Sequence, residues 1–262
     1  MTASPTHASG APEHMADEPE TTTPPSPDDA SAGPIGRVAE TVGQVAETVG
    51  QTVKPLLRGW IHAGISPFVL AASIVLVALS PTTAAKWSTA VFGVTAVMLF
   101  GTSAVYHRGR WSTKVTGILR RMDHTNIFLI IAGTYTPLAV ILLPAHTAKV
   151  LLTIVWSGAL VGLLARVFWL GAPRWVYVPV YVALGWVAVW FLPQFGRSGG
   201  AAVVWLVIAG GLCYTLGAVV YGTKWPNPSP RYFGFHEIFH ALTVGGFVCH
   251  YVAVSIASYQ SA

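Results

Sequence analysis

The amino-acid sequence predicts an all-α integral membrane protein, a bundle of seven transmembrane helices with the N-terminus in the cytoplasm and the C-terminus outside. Apolar residues make up 53% of the chain and charged residues only 10%, a composition typical of membrane proteins. Seven apolar segments each approach the roughly 20 residues that a helix needs to cross hydrocarbon. Tryptophans cluster near the ends of several segments, as in an interfacial belt.

The region before the apolar segments has a different composition. Residues 1–36 are rich in Pro, Ser, Thr and acidic residues and contain no Lys or Arg, so we expect a disordered tail. Residues 37–57 contain two copies of the heptad Val-Ala-Glu-Thr-Val-Gly-Gln, which begin at Val38 and Val45. The valines form a helical stripe that the heptad glycines weaken. A short juxtamembrane helix and a frayed tether remain alternatives, and the composition slightly favours the tether.

Residues 58–262 form the predicted membrane domain. Helix is the expected structure for each segment, because a single span in lipid must satisfy its backbone polar groups internally. The fifth segment is the least regular, since Pro173, Pro179 and Pro193 can kink or shorten it. The predicted spans are 60–80, 87–107, 123–143, 148–169, 174–193, 200–222 and 235–257.

The basic residues predict the orientation. With the N-terminus in the cytoplasm, twelve of the fifteen Lys and Arg residues fall in inside segments. Only Lys86, Lys149 and Arg197 then face outward. Cytoplasmic loops are enriched in Lys and Arg, so this asymmetry favours the N-inside topology. It also accounts for the net charge of +5 without nucleic-acid binding.

The candidate functional residues are the polar groups beside these apolar runs. After residue 48 the chain has only two acidic residues, Asp123 and Glu237, and each is next to a histidine. Ionisable groups at membrane depth are expensive to bury and indicate function. The predicted topology brings one set of side chains to a common depth, at the cytoplasmic ends of helices 2, 3 and 7: Ser103, His107, Asp123, His236 and His240.

Three imidazoles beside an oxygen donor suit zinc. His236 and His240 lie four residues apart on one helix face, and His107 comes from across the bundle. Catalytic zinc commonly takes three protein ligands and one water, whose pKa falls to about 7. Asp123 is better placed to hold and deprotonate that water than to bind the metal. Ser103 is the weaker candidate, because a helix serine often only bonds its own backbone.

Residues 236–240 also match the H-E-x-x-H pattern of soluble zinc proteases, in which the Glu is the base. An apolar span follows this motif, and Glu237 points about 100° away from His236 on a helix. We therefore expect Glu237 to face the headgroup interface and keep it as a second candidate base. His62 lies at a suitable depth to support the site, although an interfacial contact is the favoured interpretation.

Ser103-x-x-x-His107, Asp123 and His236-x-x-x-His240 together resemble the progestin and adipoQ receptor family, and within it the bacterial hemolysin III branch. The segments 58–62, 103–108 and 123–137 resemble the same branch, and the likeness covers about residues 54–257. The resemblance implies zinc held by the three histidines, with Asp123 and Ser103 around its water. It also implies kinship with membrane-embedded lipid amidases of the ceramidase kind, and a multi-pass location in the bacterial plasma membrane.

Two functions from different classes follow as hypotheses. The first is a zinc-dependent hydrolase that cleaves an amide or ester within a membrane lipid, with Asp123 as general base. The second is a non-enzymatic membrane protein, a cytolysin or a sensor of lipid state, in which zinc is structural. A channel is less favoured, because predicted helices 4 to 6 carry few polar residues to line a pore.

Overall fold

The structure is a computed structural model that describes residues 38, 41–42, 55–169 and 171–261. The predicted tail, 1–36, and most of the juxtamembrane segment, 37–57, lie outside the described residues. In the described part the chain is helical and contains no β-strand beyond one isolated bridge. The helices are α1 (Trp60–Leu79), α2 (Thr83–Arg108), α3 (Thr113–Leu142), α4 (Ala145–Phe168), α5 (Arg174–Trp186), a 3₁₀ turn (Val187–Phe191), α6 (Leu192–Thr223) and α7 (Phe235–Tyr259).

Six helical stretches within the described residues are long and apolar enough to cross a membrane. Five of them correspond to α1, α2, α3, α4 and α7. The sixth is a continuous stretch of 50 residues, Arg174–Thr223, which contains both the fifth and the sixth predicted spans. The all-α membrane class is therefore confirmed, and the chain is a multi-pass membrane protein.

This long stretch does not run straight. Gly200, inside α6, has φ +80° and ψ 172°, a backbone conformation that a helix does not contain and that glycine adopts readily. Arg174 Nη1 donates to the Tyr221 carbonyl at 2.9 Å, although 47 residues of straight helix would separate them by roughly 70 Å. Trp186 Nε1 likewise donates to Thr215 Oγ1 at 2.9 Å. The chain therefore folds back on itself near Gly200.

The third helix begins earlier than predicted. α3 starts at Thr113, ten residues before the predicted start at 123, and Ser112 caps it by accepting a hydrogen bond from the Val115 N–H. The prediction was wrong here because the first turns carry basic residues that lower the local hydropathy. Asp123 is consequently several turns inside α3 instead of at its start.

Close approaches between helices place the site. α1, α2, α3 and α7 pack against one another at neighbouring faces. Gly133 of α3 faces Thr95 of α2 so closely that a β-carbon at Gly133 would lie 2.1 Å from Thr95 Oγ1. Small residues of this kind let membrane helices approach. This close approach joins α2 to α3, the helices that carry His107 and Asp123.

Candidate metal centre

His107 lies in the last turn of α2 and is buried. Its position depends on Gly59, the residue that precedes α1. Gly59 has φ +80°, and a β-carbon there would lie 2.5 Å from His107 Cβ. Only glycine combines that backbone angle with that approach at little cost. The backbone at Gly59 therefore packs directly against the His107 side chain.

His236 and His240 occupy the first two turns of α7, one turn apart on the same face. The start of α7 is fixed by Glu237, whose carboxylate accepts hydrogen bonds from the Gly234 N–H at 2.8 Å and from Arg58 Nε at 2.6 Å. The prediction that Glu237 faces the headgroup interface was wrong, since its side chain is 1% exposed. Its carboxylate is occupied by the helix cap and by an ion pair with Arg58.

The three histidines meet. His236 Nε2 and His107 Nε2 are 3.2 Å apart, and one ring nitrogen from each of His107, His236 and His240 falls within 4.8 Å of the others. Metal–nitrogen bonds of about 2.0–2.1 Å in a tetrahedron put two nitrogens about 3.3 Å apart. His240 Nδ1 is also buried and has no hydrogen-bond partner among the described residues. The donor set and its spacing therefore fit one metal ion, and zinc is compatible with them.

Asp123 and Ser103 lie beside this cluster. Asp123 Oδ2 is 3.9 Å from His107 Nε2, and its side chain is 15% exposed. Ser103 is buried on α2 and lines the same apolar cavity as Asp123, so the serine lies on the side of the site where the carboxylate is. The three histidines would bind the metal ion. A carboxylate this close to them can accept a proton without binding the ion itself.

His62 belongs to the same cluster, and the interfacial interpretation was wrong. Its ring is 2% exposed and stacks on His240 with centroids 3.8 Å apart and planes 8° apart. Phe100 packs edge-on against its other side. The signal in the sequence was its depth, at the inner end of α1. His62 therefore packs directly against one of the three clustered histidines.

His124 follows Asp123 but is not one of the three clustered histidines. Its Nδ1 contacts the Arg120 carbonyl at 2.6 Å, and its Nε2 lies 3.5 Å from the Tyr221 hydroxyl. His250 is farther along α7, where Nε2 contacts the Val207 carbonyl at 3.3 Å. Among the described residues, neither histidine belongs to the group of His107, His236 and His240.

Two cavities reach the cluster from different sides. The first, of about 150 Å³, is largely apolar and extends between helices from His240 past Tyr135 to Leu192. The second, of about 370 Å³, is polar and lies at the helix ends that carry His107 and His236, next to Arg58 and Arg174. Five residues line both cavities, so the two meet at the site: Asp123, His124, Tyr177, Tyr221 and His236.

A family described as "Haemolysin-III related" matches residues 50–251. The chain is 29% identical over 199 residues to the "Hemolysin-3 homolog" of Bacillus subtilis (strain 168), covering 74% of this chain and 90% of that protein. It is 30% identical over 157 residues to "Hemolysin-3" of Bacillus cereus, covering 60% and 68% respectively.

Proposed function

This chain belongs to the Haemolysin-III related family, and from that premise we propose that it is a zinc-dependent hydrolase of the membrane interior. Its substrate is a lipid with an amide or ester bond. The observation that carries the proposal is the convergence of three buried imidazoles with a carboxylate at the junction of an apolar and a polar cavity. A metal ion with a purely structural role would not need cavities through which a lipid could reach it.

The proposed topology has seven spans, with the N-terminus in the cytoplasm and the C-terminus outside, in the bacterial plasma membrane. The reversal near Gly200 supports it, because each arm of the 50-residue stretch is then long enough to cross. The same topology puts Lys86, Lys149 and Arg197 at the outer end, opposite the histidines.

The residues divide the chemistry as follows. His107, His236 and His240 would hold the ion, which when bound supplies Lewis acidity for a carbonyl oxygen and lowers the pKa of a coordinated water to about 7. Asp123 accepts the proton of the attacking water and returns it to the leaving amine or alkoxide. Ser103, which lines the same cavity, would hold the Asp123 carboxylate with its hydroxyl. The apolar cavity receives the acyl chain and excludes bulk water.

Asp123→Asn tests this assignment. The variant keeps the shape of the side chain and the three histidines but cannot accept the proton. We expect lipid hydrolysis to fall roughly 10²–10⁴-fold, the range for loss of a general base, with zinc content unchanged. His146→Ala, on an exposed histidine at the far end of the bundle, is the matched control and should retain full activity. Undiminished hydrolysis by Asp123→Asn would remove Asp123 from the mechanism.

The names of the relatives support a second candidate function, a non-enzymatic cytolysin in which zinc is structural. This protein would lyse erythrocytes without cleaving lipid. Lysis by Asp123→Asn at the wild-type rate, together with no lipid hydrolysis by either protein over a broad lipid panel, would favour this candidate over the hydrolase.

A further inference from the structure

The polar cavity beside the metal centre is strongly basic. Three arginines, Arg58, Arg120 and Arg174, line it, and Asp123 is its one carboxylate. Arg58 is already paired with Glu237 behind the cavity wall. Among the described residues, neither Arg120 nor Arg174 has a carboxylate within 4.0 Å. The cavity therefore carries excess positive charge, before any metal ion is counted.

A fourth arginine adds to this charge from behind the wall. Arg166 of α4 is 2% exposed, and its Nε and Nη1 have no hydrogen-bond partner in the part of the chain that the structure describes. Its guanidinium stacks on the Tyr177 ring at 4.2 Å, and Tyr177 lines both cavities. A buried charge without a counter-ion is costly, so an anion nearby would be stabilised.

Orientation in the membrane alone does not require this arrangement. Basic residues that set topology need only lie in cytoplasmic loops, where they point into water. Arg174 is instead half-buried, donates to the Tyr221 carbonyl at 2.9 Å and stacks 4.5 Å from the Tyr221 ring centroid. Its guanidinium is thus held in place at the cavity wall before any ligand arrives.

We propose that this basic cavity binds the anionic headgroup of the lipid on which the site acts. Guanidinium groups match the oxygens of phosphate and carboxylate geometrically and form charge-assisted hydrogen bonds with them. The apolar cavity takes the acyl chain, and the five residues common to both cavities lie between the two. The bond that joins chain to headgroup then lies at the metal centre. The inference rests on the proposed function and narrows its substrate to negatively charged lipids.

Lipid retention by the full-length protein tests the inference without turnover. The protein is reconstituted in nanodiscs with equal amounts of phosphatidylglycerol and phosphatidylcholine, and the lipids that stay bound after transfer to detergent are counted by native mass spectrometry. We expect about a tenfold preference for phosphatidylglycerol, as for one or two charge-assisted contacts. The double variant Arg120→Gln/Arg174→Gln should retain both lipids about equally.

The matched control is Arg110→Gln/Lys114→Gln, which removes two exposed charges near the inner helix ends without touching the cavity. It should keep the preference. Zinc content equal to wild type shows that each variant is folded. A wild-type protein without preference, or an undiminished preference in Arg120→Gln/Arg174→Gln, would overturn the inference.

Two further arms separate the possible outcomes. Inorganic phosphate, compared with chloride at equal ionic strength, should displace phosphatidylglycerol only weakly, because it lacks the acyl chains that the apolar cavity takes. Retention of phosphate by a wild-type protein that shows no phosphatidylglycerol preference would assign the cavity to a free anion and reject the headgroup. Asp123→Asn should lose hydrolysis and prefer phosphatidylglycerol at least as strongly as the wild type, because the variant removes the one carboxylate that lines the cavity. Hydrolysis without a headgroup preference defeats this inference alone, whereas a preference without hydrolysis in the wild type defeats the proposed enzyme and leaves the binding cavity.

Discussion

Two buried polar clusters lie at opposite ends of α7, and they differ in how their polar atoms are satisfied. The outer cluster, named for the side on which the proposed topology places it, comprises Ser80, Thr89 and Ser258. Ser80 Oγ contacts Ser258 Oγ at 2.9 Å and Thr89 Oγ1 at 3.2 Å, and both Ser80 and Thr89 also bond their own helix backbones. The inner cluster comprises His107, His236 and His240. In this cluster His240 Nδ1 is buried and has no hydrogen-bond partner among the described residues.

The hydroxyl cluster satisfies its polar atoms with its own hydrogen bonds, whereas the histidine cluster has a donor set that a metal ion would satisfy. Buried hydroxyls that bond each other and their backbone act as a link between helices. Buried imidazoles with a nitrogen left over gain most from a cation. The surroundings follow the same division, since both cavities reach the inner cluster. Function is therefore expected at the inner end and helix association at the outer end.

The largest effect on the folded state should come from Glu237→Gln. The variant leaves Arg58 without its charged partner at a site where Glu237 is 1% exposed. Breaking one side of a buried pair costs about 3–5 kcal/mol, so the free energy of unfolding should fall by that amount. Zinc affinity should fall too, because the first turn of α7 carries His236. Thermal unfolding and zinc titration check both. An unchanged melting temperature would mean that the ion pair does not hold α7.

Gly59→Ala should have the next largest effect. The new methyl would meet His107 Cβ at 2.5 Å, on a backbone with φ +80°. Left-handed backbone and overpacking together cost about 3 kcal/mol. The matched control is Gly64→Ala in α1, where a β-carbon meets nothing within 4 Å and stability should hold. Equal zinc affinity in the two variants would show that the chain before α1 does not position His107.

Ser258→Ala should have the smallest effect. It removes one hydroxyl contact from the outer cluster, and such interhelical hydrogen bonds in membranes average about 0.6 kcal/mol. Zinc content and lipid hydrolysis should match the wild type, because the change lies at the other end of α7. Loss of zinc in Ser258→Ala would show that the outer cluster also supports the metal centre, and would contradict the division of roles between the two clusters.

The sequence predicted the parts of the structure that depend on local pattern. The apolar spans and the four-residue spacing of His236 and His240 follow from composition and helix period, and the family resemblance is confirmed. The prediction placed the start of α3 too late. It relied on hydropathy, which is low over the basic first turns of α3, although these residues still form a helix. The pairing of Glu237 with Arg58 was missed since the two lie 179 positions apart. Contacts at such separation depend on packing that no local pattern encodes.

The burial of His62 was missed for a related reason. A histidine at a helix end is compatible with either the interface or the interior, and only the neighbouring helix decides between them. Here His240 supplies a parallel ring 3.8 Å away. The proximity of Asp123 to His107 was predictable because their helices were expected to end at the same depth.

Zinc analysis of the purified chain tests the metal centre most directly. Elemental analysis of the wild type, of His107→Ala and of His236→Ala should give about one zinc per chain in the first and little in the other two, since two remaining imidazoles bind weakly. His250→Ala, which removes a buried histidine outside the cluster, should keep its zinc. Full occupancy in His107→Ala and His236→Ala, or no zinc in the wild type, would contradict the proposed centre.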